Sequence, residues 1–225
     1  TQPHRPFARA DVSYSTAKHF LQMGGEAVLH TNTPESTSIT LDGADYNSLL
    51  DFKSREFTLF LNDTYQLNGK VTLTSGVRAT IYSPLGPYSR YHKDFSGYVT
   101  DTTYHAYNKP IKTYWGIEPR VSLNYKFSDR QSYKASISRC YQYIHLISVG
   151  SVSFPTDIWF PSTALVKPEY TDQIALGYYQ TMRSNAYEAS VDLYFRHQNN
   201  AIEFMNSLMS NYQYNEFEES IVQGD

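Results

Sequence analysis

"EPRVSLNYKFSDRQSYKASISR", residues 118–139, decides the fold. Val121, Leu123, Tyr125 and Phe127 alternate with Arg120, Ser122, Asn124 and Lys126. After a short polar break, Tyr133, Ala135 and Ile137 alternate with Lys134, Ser136 and Ser138. A period of two makes these runs antiparallel strands joined by a tight turn. Which face is wet is a separate matter. A soluble sheet packs its apolar face on a core, whereas a transmembrane barrel turns that face to lipid and lines its lumen with the polar one. Within one hairpin the two cases are identical, so the rest of the chain must separate them.

The 225 residues carry a net charge of −3, and the pI is about 6.1. That balance offers no electrostatic footprint for nucleic acid. Tyrosine dominates the aromatics, 21 against 12 phenylalanines and 2 tryptophans. It suits strands, and its amphipathic ring suits a membrane interface, although a tyrosine-rich soluble β-protein would look similar. Cys140 is the single cysteine, so neither an internal disulfide nor a cysteine-based zinc site can form. No apolar run reaches the length of a transmembrane helix, which leaves barrel strands untouched by the argument. The opening "TQPHRPFARADVSYS" reads as mid-protein sequence and the closing "NEFEESIVQGD" as a strand beginning, so a fragment at both ends is expected.

Helical periodicity is weak; "DYNSLLDFKS" (45–54) is the best candidate for a short helical turn. Strands are plainer. Ala8, Ala10, Val12 and Tyr14 share one face of a strand near 7–15, opposite Arg9, Asp11 and Ser13. A second, near 19–32, sets Leu21, Met23, Ala27 and Leu29 against Gln22, Glu26 and His30. A third, near 55–67, carries Phe57, Leu59, Leu61, Tyr65 and Leu67 on one face. Asn68-Gly69, a strong hairpin signal, leads to a fourth over 70–83. The opening hairpin supplies two more, followed by strands near 170–182 and 186–205 and a ninth beginning near 213.

The connections carry further information. Turns at 15–18, 68–69, 128–131 and 183–185 are short, and between them lie longer segments at 33–54, 84–112, 148–168 and 206–212. In an up-and-down antiparallel arrangement, alternate connections lie at the same end. Long loops therefore gather on one side, as in outer-membrane barrels, while Greek-key sandwiches usually mix the lengths. Most strand charges fall on polar faces, with Asp63 the one clear exception. Tyr14, Tyr65, Tyr125, Phe127, Tyr133, Tyr178 and Tyr187 cluster near the short turns, where an aromatic girdle would lie. The pattern favours an all-β, antiparallel up-and-down transmembrane barrel, of which this chain holds eight or nine strands, and leaves a soluble sandwich open.

"IEPRVSLNYKFSDRQSYKASISRCYQYIHLIS" and "PTDIWFPSTALVKPEYTDQIALGYYQTMRSNAYEASVDLYFRHQNNAIEF" resemble TonB-dependent outer-membrane receptors, particularly the kind abundant in Bacteroidetes-type bacteria. "REFTLFLNDTYQLNGKVTLTSGVRATIY" resembles a strand pair of the same family ahead of a variable loop. The resemblance is close over 115–205 and looser over 1–110. It implies a Gram-negative outer-membrane location, a barrel of about 22 strands and a plug in its lumen. Residues 1–225 would then be part of the barrel domain, without the plug or the remaining strands. Partners implied are outer-membrane lipid, a TonB complex acting through that plug, and a nutrient such as a siderophore, vitamin, glycan or peptide.

No nucleotide-binding, metalloprotease or serine-hydrolase motif is found, so no catalytic residue, cofactor or metal ligand is assigned. His92 and His105 sit at irregular spacing among the tyrosines of segment 84–112 and read as solvated loop histidines. Tyr91 and Tyr104 in that segment, with Asp157 and Trp159 of "PTDIWFPS", are the candidate ligand contacts; the latter phrase could equally stiffen its loop. Glu118, Arg120, Lys126, Lys134 and Asp192 are expected to face the lumen, where Glu118 and Arg120 would pair with neighbouring strands or a plug. Cys140 reads as inert. The leading function is a component of TonB-dependent nutrient uptake. The alternatives are a soluble β-rich module binding carbohydrate or protein, and a barrel with a structural or adhesive role.

Overall fold

The computed structural model describes residues 5–32, 39–41, 44–46, 52–147, 158–182, 186–204 and 221–224. The first half holds β1 (Phe7–Ser15), β2 (His19–Asn32), β3 (Ile39–Leu41), β4 (Ala44–Tyr46), β5 (Phe52–Asn68) and β6 (Val71–Leu85). Then come β7 (Tyr88–Lys93), β8 (Val99–His105), β9 (Tyr114–Ser128), β10 (Gln131–Gln142) and β11 (Ile144–Ile147). Last are β12 (Ile158–Pro161), β13 (Glu169–Met182), β14 (Tyr187–Asn199), β15 (Ala201–Phe204) and β16 (Ile221–Gly224). There is no helix among the described residues. Eight strands form one antiparallel sheet in the order β1-β2-β5-β6-β9-β10-β13-β14, an up-and-down meander. The other strands pair as hairpins in the long segments, all at one end of the meander.

The turns close by local chemistry. Asn68 Oδ1 accepts hydrogen bonds from the amides of Lys70 and Val71, each 2.9 Å. A register shift between Gln66 and Asn68 takes up the twist there. Thr16 Oγ1 accepts from the His19 amide at 3.0 Å. Ser128 Oγ accepts from the Arg130 amide at 3.3 Å. In the opening hairpin Tyr133 pairs with Tyr125, Ala135 with Leu123 and Ile137 with Val121, so each apolar residue meets another on the same face.

Two expectations are revised. The short helix at 45–54 is replaced by strand at both of its ends: β4 runs to Tyr46 and β5 starts at Phe52, the residues between lying outside the described ones. A non-local ladder wins there, because Phe52, Lys53 and Ser54 pair with Asn32, Thr31 and His30. The strand expected over 186–205 is two, separated at Asn200, whose φ of 55° is left-handed and which asparagine tolerates better than most residues. The start of a strand near 213 and the turn at 183–185 lie outside the described residues.

The sheet's polarity answers the question of the wet face. On the polar side Thr58, Thr80 and Glu118 are sheltered, Thr80 to 1% and Glu118 to 5% exposure. On the apolar side Leu59 is 70% and Leu193 66% exposed. A soluble sandwich would bury the second set and wet the first. Across the middle strands β2, β5, β6 and β9 the sheltered side is polar and the open side greasy, as in a wall built to stand in lipid, while the end strands β1 and β14 are exposed on both faces.

Charges on the apolar face are placed at its two ends. Asp63, near the turns, receives His19 Nδ1 at 2.8 Å, and the His19 ring stacks on Tyr65 with centroids 4.3 Å apart. Towards the loops, and unremarked in the sequence, Arg139 donates two bonds of 2.7 Å to Asp172 and lies over the Tyr170 ring. Arg55 falls on this face as well, opposite Leu29. Between Arg55 and Asp63 stand Phe57, Leu59 and Leu61; between Asp172 and Gln180 stand Ile174, Leu176 and Tyr178. Each interval is about eight residue steps, ~26 Å along a strand. At a tilt of about 40° that is roughly 20 Å of apolar band, close to the height of a transmembrane barrel's lipid belt.

The conventional core lies beyond that band, among the loop hairpins. Phe160 and Val166 are buried there, with Phe52, Ile202 and Ile221 packed against them. His145 is buried beside them, its Nε2 3.0 Å from Ser162 Oγ and its Nδ1 3.9 Å from Glu169 Oε2. Burial pushes its pKa down to about 4.

Two outcomes follow. In the full-length protein, Leu59→Arg should lower unfolding stability in lipid by about 2–4 kcal/mol, while Gln66→Lys on the polar face should change it little; urea titration of both variants measures the contrast. For His145, the packed hairpin refuses a proton that the opened one accepts at an ordinary histidine pKa of about 6.5. Its contribution is therefore complete above about pH 6.5 and falls as the pH drops towards 4. Hydrogen exchange of β11 and β12 should accelerate across that window beyond the intrinsic rate change, and His145→Gln should flatten the response.

Candidate functional site

The antiparallel registers bring the polar-face residues into rows across strands. Arg9 stands opposite Glu26, Glu26 opposite Thr58, and Thr58 opposite Thr80. One strand pair further, Arg78 stands opposite Glu118. Alternating parity thus collects charges from β1, β2, β5, β6 and β9 on a single surface.

Those charges are joined. Glu56 Oε2 meets His30 Nε2 at 3.2 Å and its Oε1 accepts from Arg78 Nη2 at 3.2 Å. Thr58 bridges onward, its Oγ1 3.1 Å from Thr80 Oγ1. Arg120 Nη2 donates to Glu118 Oε2 at 3.0 Å, and the Tyr141 amide donates to Glu118 Oε1 at 3.3 Å. Arg9 lies 3.9 Å from Glu26 and over the Phe60 ring. The buried Glu118 and the half-buried Glu56 thus each hold a guanidinium that remains partly open. Desolvated acids with partly wet cations produce a rigid wall that still offers donors to something polar placed against it.

All five residues expected on the lumen side share this face. Glu118 and Arg120 belong to the network just described. Lys134, Gly177 and Asp192 are consecutive across β10, β13 and β14. Tyr179 Oη donates to Asp192 Oδ1 at 2.7 Å, and Lys134 Nζ sits 4.5 Å above the Tyr179 ring. Gly177 makes that possible, since a Cβ there would fall 2.6 Å from Asp192 Oδ1. Lys126 is near the turn end, opposite Ser132.

At the loop end, Tyr91 pairs with Thr102 and Tyr104 with Ser89, which puts both tyrosines on one face of the β7–β8 hairpin. Tyr104 is exposed and Tyr91 half-buried. His92 Nε2 lies 3.1 Å from Thr103 Oγ1, and His105 packs near Tyr88. Trp159 belongs to β12 and pairs with Leu146 of β11; Asp157 lies outside the described residues. Tyr143 stacks on Tyr82 at 4.8 Å, roofing the polar face where Gly116 leaves room for its hydroxyl.

Two members of this surface escaped the sequence reading. Glu56 shares parity with Thr58, but a strand begun at 55 gave it no weight. His30 was placed on the right face, yet its link to Glu56 depends on the register between β2 and β5, which sequence alone does not state.

Comparison with known proteins is consistent with this geometry. A family model described as TonB dependent receptor-like, beta-barrel matches residues 5–224. No curated protein matches the chain by sequence. Among solved structures, the ferric-catecholate import receptor Fiu from E. coli K12 is similar over 98% of this chain and 33% of its own, at 14% identity and a TM-score of 0.58. The copper transporter OprC is similar over 90% and 31%, at 16% identity and a TM-score of 0.61. The FrpB iron transporter from Neisseria meningitidis is similar over 91% and 30%, at 10% identity and a TM-score of 0.58. The chain spans about a third of the length of the structures it matches. With an open apolar face, a networked polar face and a family match over nearly its whole length, this chain belongs to the TonB-dependent receptor β-barrel family of the Gram-negative outer membrane.

Proposed function

We propose that residues 1–225 form part of the barrel wall of a receptor that takes up a scarce nutrient, driven by a TonB complex acting on a plug domain supplied by other sequence. The observation that carries this reading is the inverted polarity of the sheet, sheltered where polar and open where apolar. In this reading Glu118, Arg120, Lys126, Lys134 and Asp192 line the lumen, facing the plug or the passage beside it. Tyr91 and Tyr104, with Asp157 and Trp159, meet the nutrient on the loop side. The family is one of receptors, and in this reading the chain has no enzymatic role; Ser162, 3.0 Å from His145 in the loop core, is fully buried.

Relatives of similar fold carry iron, ferric catecholate and copper by their names. A ferric siderophore is the first candidate here, with vitamins, glycans and peptides next, since ring stacking by tyrosine suits all of them.

A strain lacking the full-length gene should fail to grow when the right nutrient is scarce, and the gene should restore growth. Tyr91→Ala with Tyr104→Ala should raise the nutrient concentration needed by about tenfold, from the loss of two stacking contacts of roughly 0.5–1.5 kcal/mol each. Growth that never depends on the gene under any of the four nutrient classes would overturn the uptake reading. A full-length product that stays in aqueous buffer without detergent would instead favour a soluble binding module.

A further inference from the structure

Three of the short turns share a feature that nutrient uptake does not explain. Lys18, Lys70 and Arg130 each occupy the last position before a returning strand, ahead of β2, β6 and β10. Their backbones are equivalent too. The Lys18 carbonyl accepts from the Gln66 amide at 2.8 Å, that of Lys70 from Lys126 at 2.7 Å, and that of Arg130 from Thr181 at 2.8 Å. Each of these three hairpins is thus tied to the next strand at the same point, and in all three that point bears a cation; ahead of β14 the position is Ala186. Successive turns are two strands apart, so the three positive charges repeat at about 10 Å along the sheet's lower edge.

All three side chains are exposed, and none makes an ion pair among the described residues. Arg139, at the loop end of the apolar face, is by contrast neutralised by Asp172. Asp129 is the one acid within these three turns. Just above the cations, on the apolar face, runs an aromatic row. Tyr125 and Tyr133 are 6.5 Å apart, Tyr133 and Tyr178 5.1 Å, and Tyr65 stacks with His19. Tyrosines at the margin of an apolar band mark headgroup level. Long cationic side chains one step beyond that margin reach the phosphate layer.

We propose that Lys18, Lys70 and Arg130 form one row that binds the anionic phosphodiester headgroups of the leaflet facing the turns. The row rests on the barrel reading above, and it orients the receptor: the turn edge seeks negative lipid while the loop edge stays free for nutrient. Lipid is favoured over a soluble acidic partner because the cations lie at a lipid margin marked by tyrosines on the same edge.

The test uses the full-length receptor in detergent with equal amounts of phosphatidylglycerol and phosphatidylcholine. Native mass spectrometry then counts the lipids retained. Wild type should retain phosphatidylglycerol preferentially. Each of Lys18→Gln, Lys70→Gln and Arg130→Gln should reduce that preference about fivefold, and the three together roughly 100-fold. The charge-keeping set Lys18→Arg, Lys70→Arg and Arg130→Lys should retain it, as should Lys109→Gln in the loop segment. The single variants keep the question open to test if the triple variant fails to fold. A wild type without lipid preference, a triple variant that keeps it, or an equal loss from Lys109→Gln would each overturn the row. Unchanged lipid retention with reduced binding of peptidoglycan fragments would overturn it in favour of the wall polymer. A protein needing no detergent would defeat the barrel reading instead, so the two failures are distinguishable.

Discussion

Hydrocarbon offers no hydrogen bonds, and that single constraint organises this chain. A peptide group facing lipid must find its partner in another strand, because an unpaired one costs several kcal/mol. The continuous ladder from β1 to β14 satisfies that demand for the strands it encloses. It also makes the sheet indifferent to the identity of any one outward residue, provided that it is apolar. Phe57, Ile117, Leu176 and Val191 share no sequence motif, yet they serve the same surface. The same indifference lets structures at 10–16% identity share this architecture.

The period of two then divides the labour. Every residue withdrawn from lipid is placed on the polar face, so polar groups need partners there, and the registers supply them. Glu56 is held by His30 from one side and Arg78 from the other, across three strands. Glu118 is held by Arg120 and a backbone amide. These acids are deep enough that losing a partner would leave a buried charge, which makes the wall stiff.

Much of this was legible beforehand, because strand alternation and turn chemistry are local. The hairpin at 118–139, the Asn68-Gly69 turn and the face carrying Arg120, Lys134 and Asp192 all follow from spacing within a dozen residues. What escaped depends on distant partners. The helix expected at 45–54 yields because Phe52 to Ser54 find Asn32 to His30 across the sheet. Arg139 and Asp172 lie just past the runs that marked their strands, and only the β10–β13 register shows that they neutralise one another. The loop hairpins were unread as strands because their packing, Phe52 on Phe160 for example, joins segments about a hundred residues apart.

The loop end shows why the chain has two kinds of interior. In the lipid band the sheet needs no core, since the bilayer itself solvates the apolar face. Above the band water returns, and apolar residues there must bury one another. Phe160, Val166, Ile202 and Ile221 do so, bringing β12, the segment before β13, β15 and β16 together around Phe52 at the start of β5. Gln223 extends the link by bonding the Lys167 backbone in both directions, at 2.9 Å each way. Loops tied in this way to the strand ends form one packed unit. The boundary between lipid and water thus separates a band that needs only an apolar outward face from loops that must build a core of their own.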